Sequence, residues 1–340
     1  TSSGWAFRGV FWDLHNGLPP AMDMRVGGAD DERPRKSRVA GKGPQPPASE
    51  GRGTAPGTCG EFAQGVLPDG TPFHVTCPIN KSTSVIAQVR PASAWSVMGL
   101  RPDHRKLGLA LEYTAEELDL GAVEVVIRHS SDIDIGKGMG SSTADVLSGI
   151  RAVAAAAGVT LDAETEGRLA ARVESSDGSM YPGIAAVNHK TCELIKAWDW
   201  FPEFVIVMLV PHDSVDTPSI SFSGQESLAG EYEVLLAKMD DAIARRSIAD
   251  FAVQSTRSAD LNERFLSNPY ARFLIDHLEE FNALGVNVGH TGTVCGLLFA
   301  NTETGRRRAS ETCFAVRKKF PELKDVKVVT TPHCREASGG

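Results

Sequence analysis

Asp134-Ile-Gly-Lys-Gly-Met-Gly-Ser-Ser-Thr-Ala-Asp145 is the stretch on which the reading of this chain turns. Gly136, Gly138 and Gly140 allow tight bends and close backbone approach to a ligand, because no Cβ stands in the way. Ser141 and Ser142 are residue types that cap helices. A helix starting there would present its free N–H groups and the positive end of its dipole to the loop, which is an anion site with phosphate as its common occupant. Lys137 adds a full positive charge. The plainer reading is a glycine-rich turn before an ordinary serine cap. The spacing is neither the Walker A pattern nor the dinucleotide fingerprint.

Outward from this loop the pattern alternates. Val146, Leu147, Ile150, Val153 and Ala157 recur at helical spacing, and Gly158 stops them, so a helix is expected over 141–157. Val123–Arg128 before the loop reads as a strand, as does Ser84–Arg90; Lys106–Tyr113 is expected to be a further strand. Leu161–Glu174 is a second helix and Phe204–Val210 a buried strand ending at Pro211. Helical periodicity then covers Glu226–Arg245, Ile248–Phe265, Pro269–Leu284 and Arg306–Lys319, with strands at Thr293–Ala300 and Val326–Thr330. Strands and helices do not strictly alternate. The fold class expected is α+β, with two domains joined near Trp198–Glu203.

The chain has 340 residues, enough for two cores. A formal charge of −8 argues against a general binder of nucleic acid or anionic membrane. The six cysteines form no C-x-x-C pair, so neither a zinc site nor a disulfide framework is expected from them. Free cysteines suit a reducing, cytoplasmic setting. No apolar run approaches the roughly 20 residues that span a bilayer. The start shows no signal peptide, and the missing initiator Met is the form expected of a processed or trimmed chain. Residues 1–52 are rich in Pro, Gly and charge from Arg33 to Glu50 and are expected to be a disordered tail.

Three further stretches carry candidate chemistry. Ala55-Pro-Gly-Thr-Cys-Gly-Glu-Phe-Ala-Gln-Gly65 reads as a shaped turn rather than a strand, with Glu61 and Gln64 able to position a ligand. Glu174-Ser-Ser-Asp-Gly-Ser-Met-Tyr-Pro-Gly183 puts an acid at a helix C-terminus, where the dipole disfavours it. A metal ion or a catalytic proton would justify Glu174 and Asp177; two solvated loop acids are the alternative. Gly285-Val-Asn-Val-Gly-His-Thr-Gly-Thr-Val-Cys-Gly296 reads either as a close backbone approach or as a twisted, bulged strand.

These four stretches, in this order, resemble the GHMP kinases, whose central motif runs P-x-x-x-G-L-G-S-S-A. Gly138, Gly140, Ser141 and Ser142 match it, while Asp134, Met139 and Thr143 replace Pro, Leu and Ala. Within that superfamily Pro56–Gly65, Val215-Asp-Thr217 and Gly289–Phe299 look like the L-threonine kinases of cobalamin side-chain synthesis. The likeness covers roughly Gly53 to Pro332.

The resemblance implies a two-domain GHMP kinase fold. An N-terminal, ATP-binding domain like the second domain of ribosomal protein S5 would span 53–200, and a ferredoxin-like C-terminal domain 201–335. It implies ATP on Gly136, Gly138, Met139, Gly140, Ser141, Ser142 and Thr143, and Mg²⁺ on Ser142 and Glu174, oxygen ligands of the kind a hard ion prefers. Asp177 would orient or deprotonate the acceptor hydroxyl, and Lys137 would stabilise the transferred group. Glu61, Asp216, His290 and Thr291 are the candidates for holding an amino-acid substrate by its charged ends. The expected activity is phosphorylation of the L-threonine side chain; homoserine, another small hydroxylated compound, or a non-catalytic nucleotide-binding module are the alternatives. The expected partners are ATP and a small molecule, with no nucleic acid or membrane, and a homodimer stays open.

Overall fold

The structure, a computed structural model, describes residues 49–212, 224–290 and 294–332. Its strands are β1 (Ser49–Val66), β2 (Pro72–Pro91), β3 (Ser96–Met98), β4 (Val123–Ser131), β5 (Ile184–Val187), β6 (Leu194–Trp198), β7 (Phe204–Val210), β8 (Gly285–Val288), β9 (Cys295–Ala300) and β10 (Asp325–Thr330). Its helices are α1 (Arg105–Glu117), α2 (Ser141–Ala156), α3 (Ala163–Val173), α4 (Ala229–Ala244), α5 (Ile248–Asn262), α6 (Pro269–Asp276) and α7 (Glu303–Lys319).

One sheet runs in the order β10-β7-β9-β8-β1-β2-β4-β3, with β5 and β6 branching from β2. Its halves meet at a thin seam. β8 and β1 share only the pair Glu61↔Val288. Side chains hold the rest of the seam: Asn287 Nδ2 donates to the Cys59 carbonyl, and Gln64 Nε2 donates to the Val288 carbonyl at 3.4 Å. Gly60 is left-handed at φ +58°, and a Cβ there would lie 2.4 Å from the Gly289 nitrogen. Only glycine permits this approach.

Behind the seam, Phe62 of β1 packs against Phe251 of α5 and Phe204 of β7, with ring centroids 5.0 and 5.7 Å apart. All three rings are fully buried. Truncating one of them to Ala costs about 3–5 kcal/mol in such a setting. A second core lies where α6 and α7 cover β7–β10, and a third where α1 and α2 cover β2 and β4.

Four expectations change. Ala55–Gly65 is strand, not turn, because register shifts between Pro56 and Ala63 absorb its glycines into an extended ladder with β2. The same strand starts at Ser49, inside the stretch assigned by composition to the tail; Gly51 and Gly53 pack so close to α2 that a Cβ would lie 2.1 Å from Ala156 N and 2.0 Å from Ser148 O. Residues 1–48 lie outside the described residues. Lys106–Tyr113 is helix α1, with Leu107, Ala110, Leu111, Thr114 and Ala115 buried on one face. The segment Lys106–Tyr113 holds Leu, Ala, Lys and Glu and no β-branched residue, so helix propensity wins over an apolar run that alternated by chance. The helix expected to Leu284 ends at Asp276 and continues as turns.

Candidate active site

The glycine loop sits on β1. Thr58 N donates to Met139 O at 2.9 Å, which fixes the loop's height above the sheet. Asp134, which stands where the GHMP motif has Pro, anchors the near end by salt bridges to Lys324 at 2.9 Å and to Lys327. Gly136, Gly138 and Gly140 all have positive φ, at 70°, 72° and 62°. Neither Ser141 nor Ser142 caps α2, contrary to the reading from sequence. Gly140 is the N-cap, with no side-chain cap hydrogen bond, and the first helical bond runs from Ala144 N to Gly140 O at 2.9 Å. The first-turn N–H groups therefore get no cap from their own cap residue, which is the anion-binding arrangement.

The side chains of this turn face two carboxylates. Ser142 Oγ donates to Glu174 Oε1, and Lys106 Nζ donates to Glu174 Oε2 at 2.5 Å. Glu174 is the C-cap of α3, so the acid that the helix dipole disfavours is held by a hydroxyl and an ammonium from two other helices. Lys106 escaped the sequence reading because its segment was taken for a strand.

Asp177 lies on the far side of the turn. A Cβ on Gly140 would come within 2.8 Å of Asp177 Oδ2 and 3.0 Å of Thr58 Oγ1. Ser179 N donates to Asp177 Oδ1 at 3.0 Å. Burial pushes this carboxyl up to about 6; hydrogen bonds from Ser179 and Thr143 oppose the shift, and the neighbouring Glu174 charge adds to it.

Next to Asp177, at the seam, stands Glu61. Burial, reinforced by the Asp177 charge and opposed by a hydrogen bond from Thr76, raises its carboxyl well above the usual range. Its Oε2 is buried without a hydrogen-bond partner. Oε1 lies 3.7 Å from His74 Nδ1. That distance is too long for a hydrogen bond. His74 itself is held neutral, first by burial and then by His189 and His290, so the contact joins two neutral groups rather than an ion pair. His290 Nδ1 meets Gln64 Oε1 at 2.7 Å.

The structure thus brings together Gly136–Thr143, Glu174, Asp177, Glu61 and His290. Lys137 is buried, and its ammonium donates to the His212 carbonyl just past the end of β7. Asp216, with Val215 and Thr217, and Thr291 lie outside the described residues. His74 and His189 were missed. Each is a lone histidine in its own segment, and no local spacing connects them.

Residues 105–186 match the family model described as the GHMP kinases N terminal domain. The L-threonine kinase of Citrobacter freundii is 26% identical over 255 residues, which cover 72% of this chain and 84% of that protein. The homoserine kinase of Enterococcus faecalis is 26% identical over 179 residues, covering 49% of this chain and 59% of that protein. Among solved structures, L. major mevalonate kinase in complex with R-mevalonate superposes with a TM-score of 0.62 at 14% identity, over 88% of this chain and 98% of that one. The fold is the two-domain fold of small-molecule kinases of this type. In the family match over residues 105–186 and in its fold the chain is similar to the GHMP kinases. No helix of the described residues is long and apolar enough to cross a membrane.

Proposed function

We propose that the chain transfers the terminal phosphoryl group of ATP to the side-chain hydroxyl of L-threonine, giving O-phospho-L-threonine and ADP. The observation that carries this reading is the Asp177 carboxyl, buried against the Gly140 turn and raised to about 6. A carboxyl raised to about 6 is half ionised near pH 6 and mostly ionised at neutrality, which suits proton abstraction from an alcohol.

The residues present fit both implied groups. The first-turn N–H groups that Gly140 cannot cap, reached over a loop whose Gly136, Gly138 and Gly140 all have positive φ, suit phosphate oxygens. Ser142 and Glu174, already in contact, offer the hard oxygen donors Mg²⁺ takes. When bound, Mg²⁺ supplies neutralisation of phosphate charge. The chain's own residues do the rest. The α2 N-terminus and Lys137 hold negative charge. Asp177 takes the hydroxyl proton as the oxygen bonds to phosphorus and the bond to ADP breaks. The nucleoside lies in the groove lined by Trp95, Val97, Leu100, Arg101 and Arg105, one residue from Lys106. Glu61, with Asp216 and Thr291, recognises the amino acid, and His290 borders that end of the site. A buried, protonated Glu61 ionises when the ammonium group arrives and gives it a counter-charge.

The L-threonine kinase relative, matched over 72% of the chain, supports this acceptor. The test is a panel of L-threonine, D-threonine, L-serine, L-homoserine and 3-hydroxybutyrate with Mg-ATP, read by phosphorus NMR. L-threonine should have the highest kcat/KM, with L-serine lower by about 10–200-fold, the value of one methyl group. Loss of the amino group should cost more, because it leaves buried partners unpaired. A highest kcat/KM for homoserine would overturn the acceptor and leave the kinase; no turnover with any of them would favour a non-catalytic nucleotide-binding module.

A further inference from the structure

We propose that His74, His189 and His290 form a binding site for a divalent transition-metal ion, zinc fitting best, with one coordination position open. One ring nitrogen from each histidine lies within 4.8 Å of the other two. The rings crowd together, with centroids 4.2 Å apart for His74–His189, 4.3 Å for His74–His290 and 5.0 Å for His189–His290. Three imidazoles from β2, the turn after β5 and the turn after β8 have no need to converge for packing alone.

The second observation is the state of His74. It is 5% exposed, yet among the described residues neither of its ring nitrogens has a hydrogen-bond partner. Buried polar atoms are nearly always satisfied, and one that is not asks for a ligand. A metal ion satisfies such a nitrogen directly. Burial also holds the three rings in the neutral form that ligates metals, His189 down to about 4 and His290 to about 3.

The surroundings have the form of a metal site's outer shell. Metal-binding histidines usually give their other N–H to a carboxylate or carbonyl oxygen, which fixes the tautomer. Gln64 Oε1 stands 2.7 Å from His290 Nδ1, and Glu61 Oε1 stands 3.7 Å from His74 Nδ1. Both oxygens come from β1; the Gln64 contact leaves Nε2 of His290 as its ligating atom, while Glu61 Oε1 is too far for a hydrogen bond as it stands and would reach His74 Nδ1 only on closure. Zn–N bonds of about 2.0–2.1 Å in a tetrahedron need nitrogens about 3.3 Å apart, so the cluster must close by no more than roughly 1.5 Å. His189, on the turn after β5, can make that movement. Its backbone carbonyl accepts from Ser176 N at 2.9 Å, next to Asp177, so closure would also bear on the candidate base. Three imidazoles select zinc, copper, nickel or iron over magnesium, which separates this site from the Ser142–Glu174 oxygens.

A second cluster, His104, His129 and Asp145, serves as the internal control. There Asp145 Oδ1 is already occupied by His129 Nε2 at 2.9 Å and Thr83 Oγ1 at 3.0 Å, so although His104 Nε2 is also buried without a hydrogen-bond partner among the described residues, three free imidazoles do not converge. The experiment uses the full chain without a histidine tag, stripped with chelator, titrated with Co²⁺ and back-titrated with Zn²⁺. The expected result is one equivalent of bound Co²⁺ with the visible absorption of a four-coordinate site, displaced by Zn²⁺. His189→Ala, at a partly exposed turn and so expected to fold, should abolish it. Gln64→Ala should weaken binding by about 10–100-fold. His129→Gln should leave it unchanged. Absence of the absorption in the parent chain, its persistence in folded His189→Ala, or its loss in His129→Gln would each overturn the proposal.

Discussion

The start of α2 and the starts of α3, α5, α6 and α7 are built differently. Asp162 accepts from Thr165 N at 2.7 Å, Ser247 from Asp250 N at 3.3 Å, Asn268 from Tyr270 N at 3.0 Å and Thr302 from Gly305 N at 3.1 Å. Each of those helices satisfies its own first turn. α2 starts at a left-handed Gly140 that has no side chain to offer, and α1 starts at His104, which makes no cap bond either. These two uncapped starts meet at one residue: Ser142 of α2 and Lys106 of α1 both hold Glu174. The remaining uncapped start, that of α4, follows a 3-10 turn over Gln225–Leu228 that leads straight into it. A helix that closes its own end is scaffold; the pair left open converge on the candidate site.

The strongest way to break this contrast is to change the acid beside the open end. Asp177→Asn should lower kcat by about 10²–10⁴-fold with little change in ATP binding. In the parent chain kcat/KM should fall about tenfold per pH unit below pH about 6, where Asp177 takes up its proton, and the variant should lose that limb. Stability should move the other way. The folded carboxyl is raised from 3.8 to about 6, so its stabilising share is fully present below pH ~4 and is lost as pH rises through about 6. The variant should therefore be the more stable protein at pH 8, by up to about 3 kcal/mol. Near-normal turnover, or a lower melting temperature than the parent at pH 8, would remove Asp177 from the role given to it.

Next comes the open end itself. Gly140→Val places a branched Cβ at φ +62°, aimed at Asp177 Oδ2 and Thr58. It should raise KM for ATP and cost at least about 10²-fold in kcat/KM, the scale of a displacement near 1 Å. Unchanged ATP kinetics in a folded variant would mean the phosphates bind elsewhere.

Parts of this contrast could be read from the residues and parts could not. The loop and α2 were legible because glycine spacing and helical periodicity are local signals. Gly158, at φ +72°, ends α2 where the sequence said it would. Ala55–Gly65 was not legible. Its glycines look like turn residues, yet Gly60 serves the approach to Gly289 and the neighbouring Gly51 and Gly53 serve packing on α2, contacts made by chain far away in sequence. Lys106 was lost with its helix. His74 and His189 were invisible for the same reason: what joins them to His290 is the pairing of β1 with β2 and β8, not any spacing along the chain. The raised carboxyl of Asp177 depends on burial, which no local pattern states.

A smaller effect should come from the second uncapped helix. Lys106→Met keeps the stem and removes the ammonium that holds Glu174. Lys106 is half exposed, so the stability cost should stay under about 1 kcal/mol. Turnover should fall about tenfold, equivalent to about 1.4 kcal/mol of activation energy, and the Mg²⁺ concentration for half-maximal rate should shift. A fall in melting temperature with no change in Mg²⁺ dependence would make Lys106 a structural partner of Glu174 and would leave α2 as the one open end that matters.

The smallest functional effect belongs to the capped helices, and it sharpens the comparison by being purely structural. Thr302→Ala removes the acceptor for Gly305 N at the start of α7. That helix packs on β7, β9 and β10, and its buried face is Gly305, Ala309, Thr312 and Val316. Losing such a cap costs about 1 kcal/mol, because one buried-end N–H must find water instead. Ala is otherwise a good helix residue, and Glu303 still places negative charge in the first turn, so the helix should persist. In a chain of this size the melting temperature should drop by roughly 2–4 °C. The kcat and KM for ATP should be unchanged, since nothing at this end touches the glycine loop or its carboxylates. Thermal melts and steady-state kinetics on the same preparation decide it. A loss of kcat comparable with that of Gly140→Val would mean that capped and open helix starts share one function, and the distinction between scaffold and site would have to be drawn elsewhere.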